Sequence, residues 1–140
     1  MGYSKVYIHL VWTTHKRQPL LSKDLRAYIF MHMKHNAKAK GIFIDHIGGY
    51  TDHVHCLITL DCDQSMSKVV QLLKGESSHW INQMGFVQGK FRWQEEYYAV
   101  SVGLRYLKVV RNYIRNQEQH HQRKTLQKEL SLFRKLYGFK

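Results

Sequence analysis

"GIFIDHIGGYTDHVHCLITL", from Gly41 to Leu60, reads as two strands joined by a bend at "GGYTD", a hairpin. In its second half Val54, Cys56, Ile58 and Leu60 recur at period two, the mark of a strand with one face in a core. Alternation sends His53, His55, Leu57 and Thr59 to the opposite face. Around the hairpin the pattern is regular. "YSKVYIHLVWTT" alternates Tyr3, Lys5, Tyr7, His9 and Val11 against Val6, Ile8, Leu10 and Trp12, a strand. Ser22 and Asp24 open a helix to about Lys40 that Gly41 closes, with Leu25, Ile29 and Met33 at helical spacing. Ser65 or Ser67 caps a second helix through "SKVVQLLKGESSHWINQM". "KFRWQEEYYAVSVG" reads as a strand, a third helix runs from about Leu104 to His121, and "QRKTLQKELSLFRKLYGFK" holds a fourth short helix. The order β α β β α β α α predicts an α+β, ferredoxin-like (RRM-like) antiparallel sheet. Helices one and two should pack on one face, with an additional C-terminal helix bearing functional groups.

A chain of 140 residues, 44% hydrophobic, suits a single domain over 1–140. No run of eighteen apolar residues exists to span a membrane, and "MGYSKVYIHLVWTTHKRQPLL" lacks the apolar core of a secretory signal. A cytoplasmic protein is expected. Cys56 and Cys62 follow neither CxxC nor zinc-ribbon spacing, so both should be free thiols. Lys and Arg number 22 against 10 Asp and Glu, a net charge of +12. Such a balance points to a polyanionic partner, nucleic acid before an anionic membrane surface, because no long basic amphipathic helix has a clean apolar face. Aromatics at 13%, nine of them Tyr, suit base stacking as well as a core.

Two imidazoles two residues apart on one strand face converge on a point where a metal ion would satisfy both. An HxH pair also occurs as two surface histidines. In "LRYLKVVRNYIRNQEQHH" one stripe at 100° per residue carries Tyr106, Val109, Val110 and Tyr113 and continues into Gln117 and His120. Arg105, Lys108, Arg111 and Arg115 lie off it. The stripe turns polar where the helix leaves the core, which suits either a plain helix end or a site. Two His and an amide oxygen can hold one divalent ion with positions open for phosphodiester oxygens. A tyrosine one turn from Gln117 could attack the phosphorus, conserving bond energy as a phosphoester. The chain has no GxxxxGK[ST], so no nucleotide cofactor is implied.

His53, Val54 and His55 form an HUH motif, and "YIRNQEQHH" places a glutamine four residues after a tyrosine. With "THKRQPLL", "DHVH", "LLKGESSHWIN" and "FRWQEEYYAVSV" in the same order, nearly the whole chain resembles the single-tyrosine HUH transposases of small bacterial insertion sequences. These are the insertion-sequence two-hundred group and its REP-associated tyrosine transposase relatives. The resemblance implies an enzyme that cuts and rejoins single-stranded DNA at element ends marked by hairpins, through a 5′-phosphotyrosine link and a free 3′-hydroxyl. It implies Tyr113 as nucleophile and His53, His55 and Gln117 as ligands of Mg²⁺ or Mn²⁺. It also implies a homodimer in which the tyrosine helix can serve the partner's site. Asp52 would orient His53 or the DNA, or merely make the turn. His120, near the nucleophile, would contact phosphate. Lys74, Lys16 and Arg17 are DNA-contact candidates or solvated charges. Two other readings stay open, a domesticated relative that processes a host repeat and a catalytically silent RRM-like nucleic-acid-binding module.

Overall fold

The computed structural model describes residues 3–117, 119 and 128. Four strands, β1 (Val6–Thr13), β2 (Phe43–Gly49), β3 (His53–Leu60) and β4 (Tyr98–Val102), form one antiparallel sheet in the order β2-β3-β1-β4. Helices α1 (Lys23–Ala39) and α2 (Met66–Met84) follow β1 and β3, and α3 (Leu107–Arg115) follows β4 after a 3-10 turn at Leu104–Tyr106. This is the expected ferredoxin-like α+β plan, with both crossovers passing over one face. The Ser22 side chain accepts from Leu25 N at 3.4 Å and Ser65 from Lys68 N at 3.3 Å, so each helix starts where a hydroxyl satisfies an orphan amide. Gly41, at φ +75, takes the left-handed turn that ends α1.

The sheet's two faces bury different things. Ile8, Leu10, Trp12, Val54, Cys56 and Ile58 face the core under α1 and α2. On the reverse face Tyr7, Leu57 and Val102 meet Leu107, Val110 and Ile114 of α3. Full burial of each of these aliphatic side chains is worth about 2 kcal/mol, so α3 is a packed element of this face. Two further contacts seat it. Arg111 grips Asp45 with two hydrogen bonds of 2.8 Å, where β2 shifts register between Ile44 and His46. At Gly48 a Cβ would collide with the carbonyl oxygen of Ile114, so only glycine admits the helix so close to the strand.

Three expectations need correction. The buried stripe of α3 is Leu107, Val110 and Ile114, followed by Gln117, whereas Tyr106 (60% exposed) and Val109 (64%) face outward. The stripe sits about one residue away from the phase read through Tyr106, because the aliphatic Leu107 and Ile114 displace the tyrosine and valine. The helix is not continuous as expected but breaks at Asn116, the cap after Arg115; Gln117 and Gln119 are helical again, and residues 118, 120 and 121 lie outside the described residues. Residues 90–97 do not extend β4. Phe91 and Trp93 turn into the core under α2, where Trp93 Nε1 donates to Ser77 Oγ at 2.9 Å, leaving one isolated bridge from Trp93 to Thr14. His120 and all of the expected fourth helix but Lys128 lie outside the described residues. Among the described residues, no helix is long and apolar enough to cross a membrane.

Candidate active site

His53 and His55 enter from β3 on the face that α3 covers, and both are fully buried. The two rings stand edge to face with centroids 5.1 Å apart. Asp52, in the turn before β3, receives His53 Nδ1 at 2.9 Å, and its other oxygen lies 3.7 Å from Arg17 Nε. An ionised carboxylate only accepts, so Nδ1 of His53 carries a hydrogen and Nε2 is turned inward. There it meets Gln117 Oε1 at 3.1 Å. Gln117 is itself oriented by its amide nitrogen, which donates to the Tyr113 carbonyl at 3.1 Å. Tyr113 lies half-buried on α3, its hydroxyl oxygen enclosed and its ring edge-on to His55 with centroids 5.3 Å apart. The four residues picked out from the sequence therefore come together, although α3 ends between Tyr113 and Gln117.

A third histidine joins them. His9, on β1, is 1% exposed and places Nε2 3.0 Å from His55 Nδ1. Burial pushes its pKa down to about 4, so it is neutral near pH 7. The sequence placed it among the alternating residues of the first strand but gave it no role. The available signal was the ferredoxin-like strand order, which makes β1 and β3 neighbours.

The donor set suits a hard divalent ion. His53 Nε2 and Gln117 Oε1, 3.1 Å apart, are nitrogen and oxygen donors of the kind that Mg²⁺ or Mn²⁺ would take alongside water or phosphate oxygens. His53 Nε2 and Gln117 Oε1 thus face each other at the site while Nδ1 of the same ring is held by Asp52. Among the described residues no group of three His, Cys, Asp or Glu side chains is placed to hold a metal ion; a site here would draw its third donor from the Gln117 amide.

The basic candidates separate. Lys74 points its ammonium at the backbone carbonyls of Gln94 (2.5 Å) and Glu95 (2.9 Å), pinning the 90–97 segment to α2, and burial lowers its pKa. It is a structural clamp before it is a DNA contact. Lys16 and Arg17 occupy a tight turn after β1, both at φ 55, with Arg17 directed at Asp52. Both also line a cavity of about 350 Å³ beside β1 with Thr13 and Tyr98. A larger groove, about 980 Å³, lies between α2 and residues 90–97, with His15, His79, Lys90 and Arg92 on its walls.

The family model described as "Transposase IS200 like" matches residues 2–117. The chain belongs to this family. Among solved structures, this IS200-like transposase is similar to a Deinococcus radiodurans R1 protein described as a transposase, with TM-score 0.68 and 23% identity over 84% of this chain and 95% of that one. It is also similar to a REP-associated tyrosine transposase bound to a REP hairpin, with TM-score 0.64 and 17% identity over 86% and 72%. At these identities the likeness is one of fold, and it agrees with the four-stranded sheet described above. No curated protein matches the chain. The family model ends at the residue where the site closes, Gln117, so the matched span contains His9, Asp52, His53, His55 and Tyr113 as well.

Proposed function

We propose that this transposase cuts and rejoins single-stranded DNA at hairpin-marked ends, with Tyr113 as nucleophile. The observation that carries the reading is the position of Gln117, whose one amide links the nucleophile's helix to the histidine pair. Tyr113 Oη attacks a backbone phosphorus, and the bond from phosphorus to the 3′-oxygen breaks. The tyrosine's proton ends on the departing 3′-oxygen, leaving a 5′-phosphotyrosine and a free 3′-hydroxyl. A 3′-hydroxyl attacking the phosphotyrosine reverses the exchange and reseals a strand, so no external energy source is consumed.

His53, His55 and Gln117 would hold Mg²⁺ or Mn²⁺, which supplies charge neutralisation at the phosphate oxygens. Asp52 holds the His53 ring in the orientation this requires, and Arg17 tethers Asp52. The basic groove between α2 and residues 90–97 is the surface proposed for the DNA backbone, supported by Lys90 and Arg92 on its wall and a net charge of +12. Hairpin DNA is proposed as substrate because a structural neighbour was solved with one. The homodimer is proposed from the resemblance alone; the single domain spanning 1–140 is proposed from length and composition, and the cytoplasmic location from two free cysteines that fit a reducing compartment. The same neighbour, REP-associated, supports a second reading in which the chain processes a host repeat, and terminal hairpins flanking the gene would decide between them.

The test is incubation with hairpin-bearing single-stranded DNA and Mg²⁺ or Mn²⁺. A denaturation-resistant adduct mapping to the Tyr113 peptide is expected, lost with chelator and in His53→Ala and His55→Ala. An adduct on another residue, or full cleavage in EDTA, overturns the assignment. A folded protein that binds DNA and never cuts it returns the reading to a silent binding module.

A further inference from the structure

We propose that His9 is a positioning residue for His55, accepting its Nδ1–H and so holding the His55 ring in the tautomer whose Nε2 lone pair faces the site. The inference rests on the metal reading above and deepens it. β1 pairs with β3 so that His9 stands opposite Leu57, which puts its side chain diagonally beside that of His55 on the α3-covered face. The nitrogens are 3.0 Å apart and the rings are tilted 34°, with both residues buried. At that distance a single hydrogen lies between the two nitrogens, donated by one ring and accepted by the other. If His9 donates, His55 keeps its hydrogen on Nε2 and cannot ligate. If His55 donates, its Nε2 is bare.

His53 shows which choice completes the site. Its Nδ1 is held by Asp52, and its Nε2 is thereby turned to Gln117 Oε1. Asp52 and His9 then do the same task for two rings, one from the turn before β3 and one from the neighbouring strand. Packing alone does not call for an imidazole at this place. The cluster on this face is built from Tyr7, Leu57, Val102 and the aliphatic side chains of α3, and a leucine would extend it. A buried imidazole in its stead is justified by the hydrogen bond it makes.

The experiment compares wild type with His9→Leu, which fills the space without an acceptor, and His9→Gln, which offers an amide oxygen near the position of Nε2. Mn²⁺ affinity is read from the free-ion EPR signal. The His55 tautomer is read in metal-free protein from long-range ¹H–¹⁵N correlations, and folding from thermal melts. Partners of ligating histidines typically contribute about 10–100-fold in metal affinity, and a loss of that size is expected for folded His9→Leu, with His9→Gln close to wild type. Wild-type His55 should carry its hydrogen on Nδ1, and His9→Leu should lose that preference, which a role in packing alone would not change. Unchanged Mn²⁺ affinity in folded His9→Leu, or a wild-type hydrogen on Nε2, overturns the proposal. If His9→Leu does not fold, the wild-type tautomer and the His9→Gln affinity decide. Wild type that binds no Mn²⁺ yet shows the Nδ1–H tautomer would overturn the metal reading and leave the ring pairing standing.

Discussion

Tyr113 and Gln117 divide one task between side chain and backbone. The glutamine is oriented by the tyrosine's carbonyl, so replacing the tyrosine ring's oxygen leaves the glutamine's anchor in place. Tyr113→Phe should therefore cost little stability, about 1 kcal/mol if a hydroxyl hydrogen bond is lost. DNA affinity should stay near wild type while the covalent adduct disappears, as gel-resolved cleavage and filter binding would show. Cleavage at the wild-type rate in Tyr113→Phe would place the nucleophile elsewhere. At this scale the sequence was partly legible. Period two put His53 and His55 on one face, and four-residue spacing joined Tyr113 to Gln117 even though the helix ends at Arg115. His9 and the clamp made by Lys74 were not legible, because each depends on a partner 46 or 20 residues away, brought close by sheet order and by the 90–97 loop.

The element that decides the site is α3, and its seat is sharper than its amphipathic pattern suggested. Helical periodicity located the helix but not its phase, since Leu107, Val110 and Ile114 recur at helical spacing as readily as Tyr106, Val109 and Tyr113. The phase is set by what the sheet offers, namely apolar Tyr7 and Leu57, a glycine at 48 and the Asp45 carboxylate. Gly48→Ala forces the strand and helix apart and should cost about 1–3 kcal/mol. Because the displaced backbone belongs to Ile114, next to Tyr113, cleavage should fall more than DNA binding does. Wild-type cleavage with a wild-type melting temperature would mean the close approach is dispensable. The Arg111 guanidinium, by hydrogen bonding, holds the Asp45 carboxyl below its ordinary value of 3.8. A depressed carboxyl stabilises the fold above the unfolded-state pKa and loses that contribution as pH falls through the folded value. Asp45→Asn should thus melt lower than wild type at neutral pH, and the gap should narrow as pH falls below the ordinary carboxylate value of about 4 and close below the lower folded-state value. A gap that persists at low pH would assign the effect to packing.

The whole molecule joins a strong positive charge to a proposed catalytic set whose members lie together within one chain. A net charge of +12 predicts that affinity for single-stranded DNA falls as salt rises, with a log–log slope of about 0.7 for each phosphate neutralised. A flat response would remove the basic groove from the binding surface. The arrangement of the catalytic groups makes a sharper demand. Tyr113 stands beside His55 of its own chain, and Gln117 reaches His53 of its own chain. Three buried aliphatic side chains, a two-bond Arg111–Asp45 grip and the glycine seat hold α3 there. Releasing the helix to serve a second subunit would expose that apolar face and part the ion pair, at about 2 kcal/mol for each side chain uncovered, unless an equivalent seat were filled by the partner's helix. Mixing Tyr113→Phe with His55→Ala under conditions where subunits exchange distinguishes the two cases. With α3 on its own sheet each active site lacks one essential group, and cleavage should stay at the background of the single variants. Recovery toward about a quarter of the wild-type yield, one complete site in each of the half of the dimers that are mixed, would mean that Tyr113 acts on the neighbouring chain, and Asp45→Asn, by loosening the helix from its own sheet, should then increase the recovery.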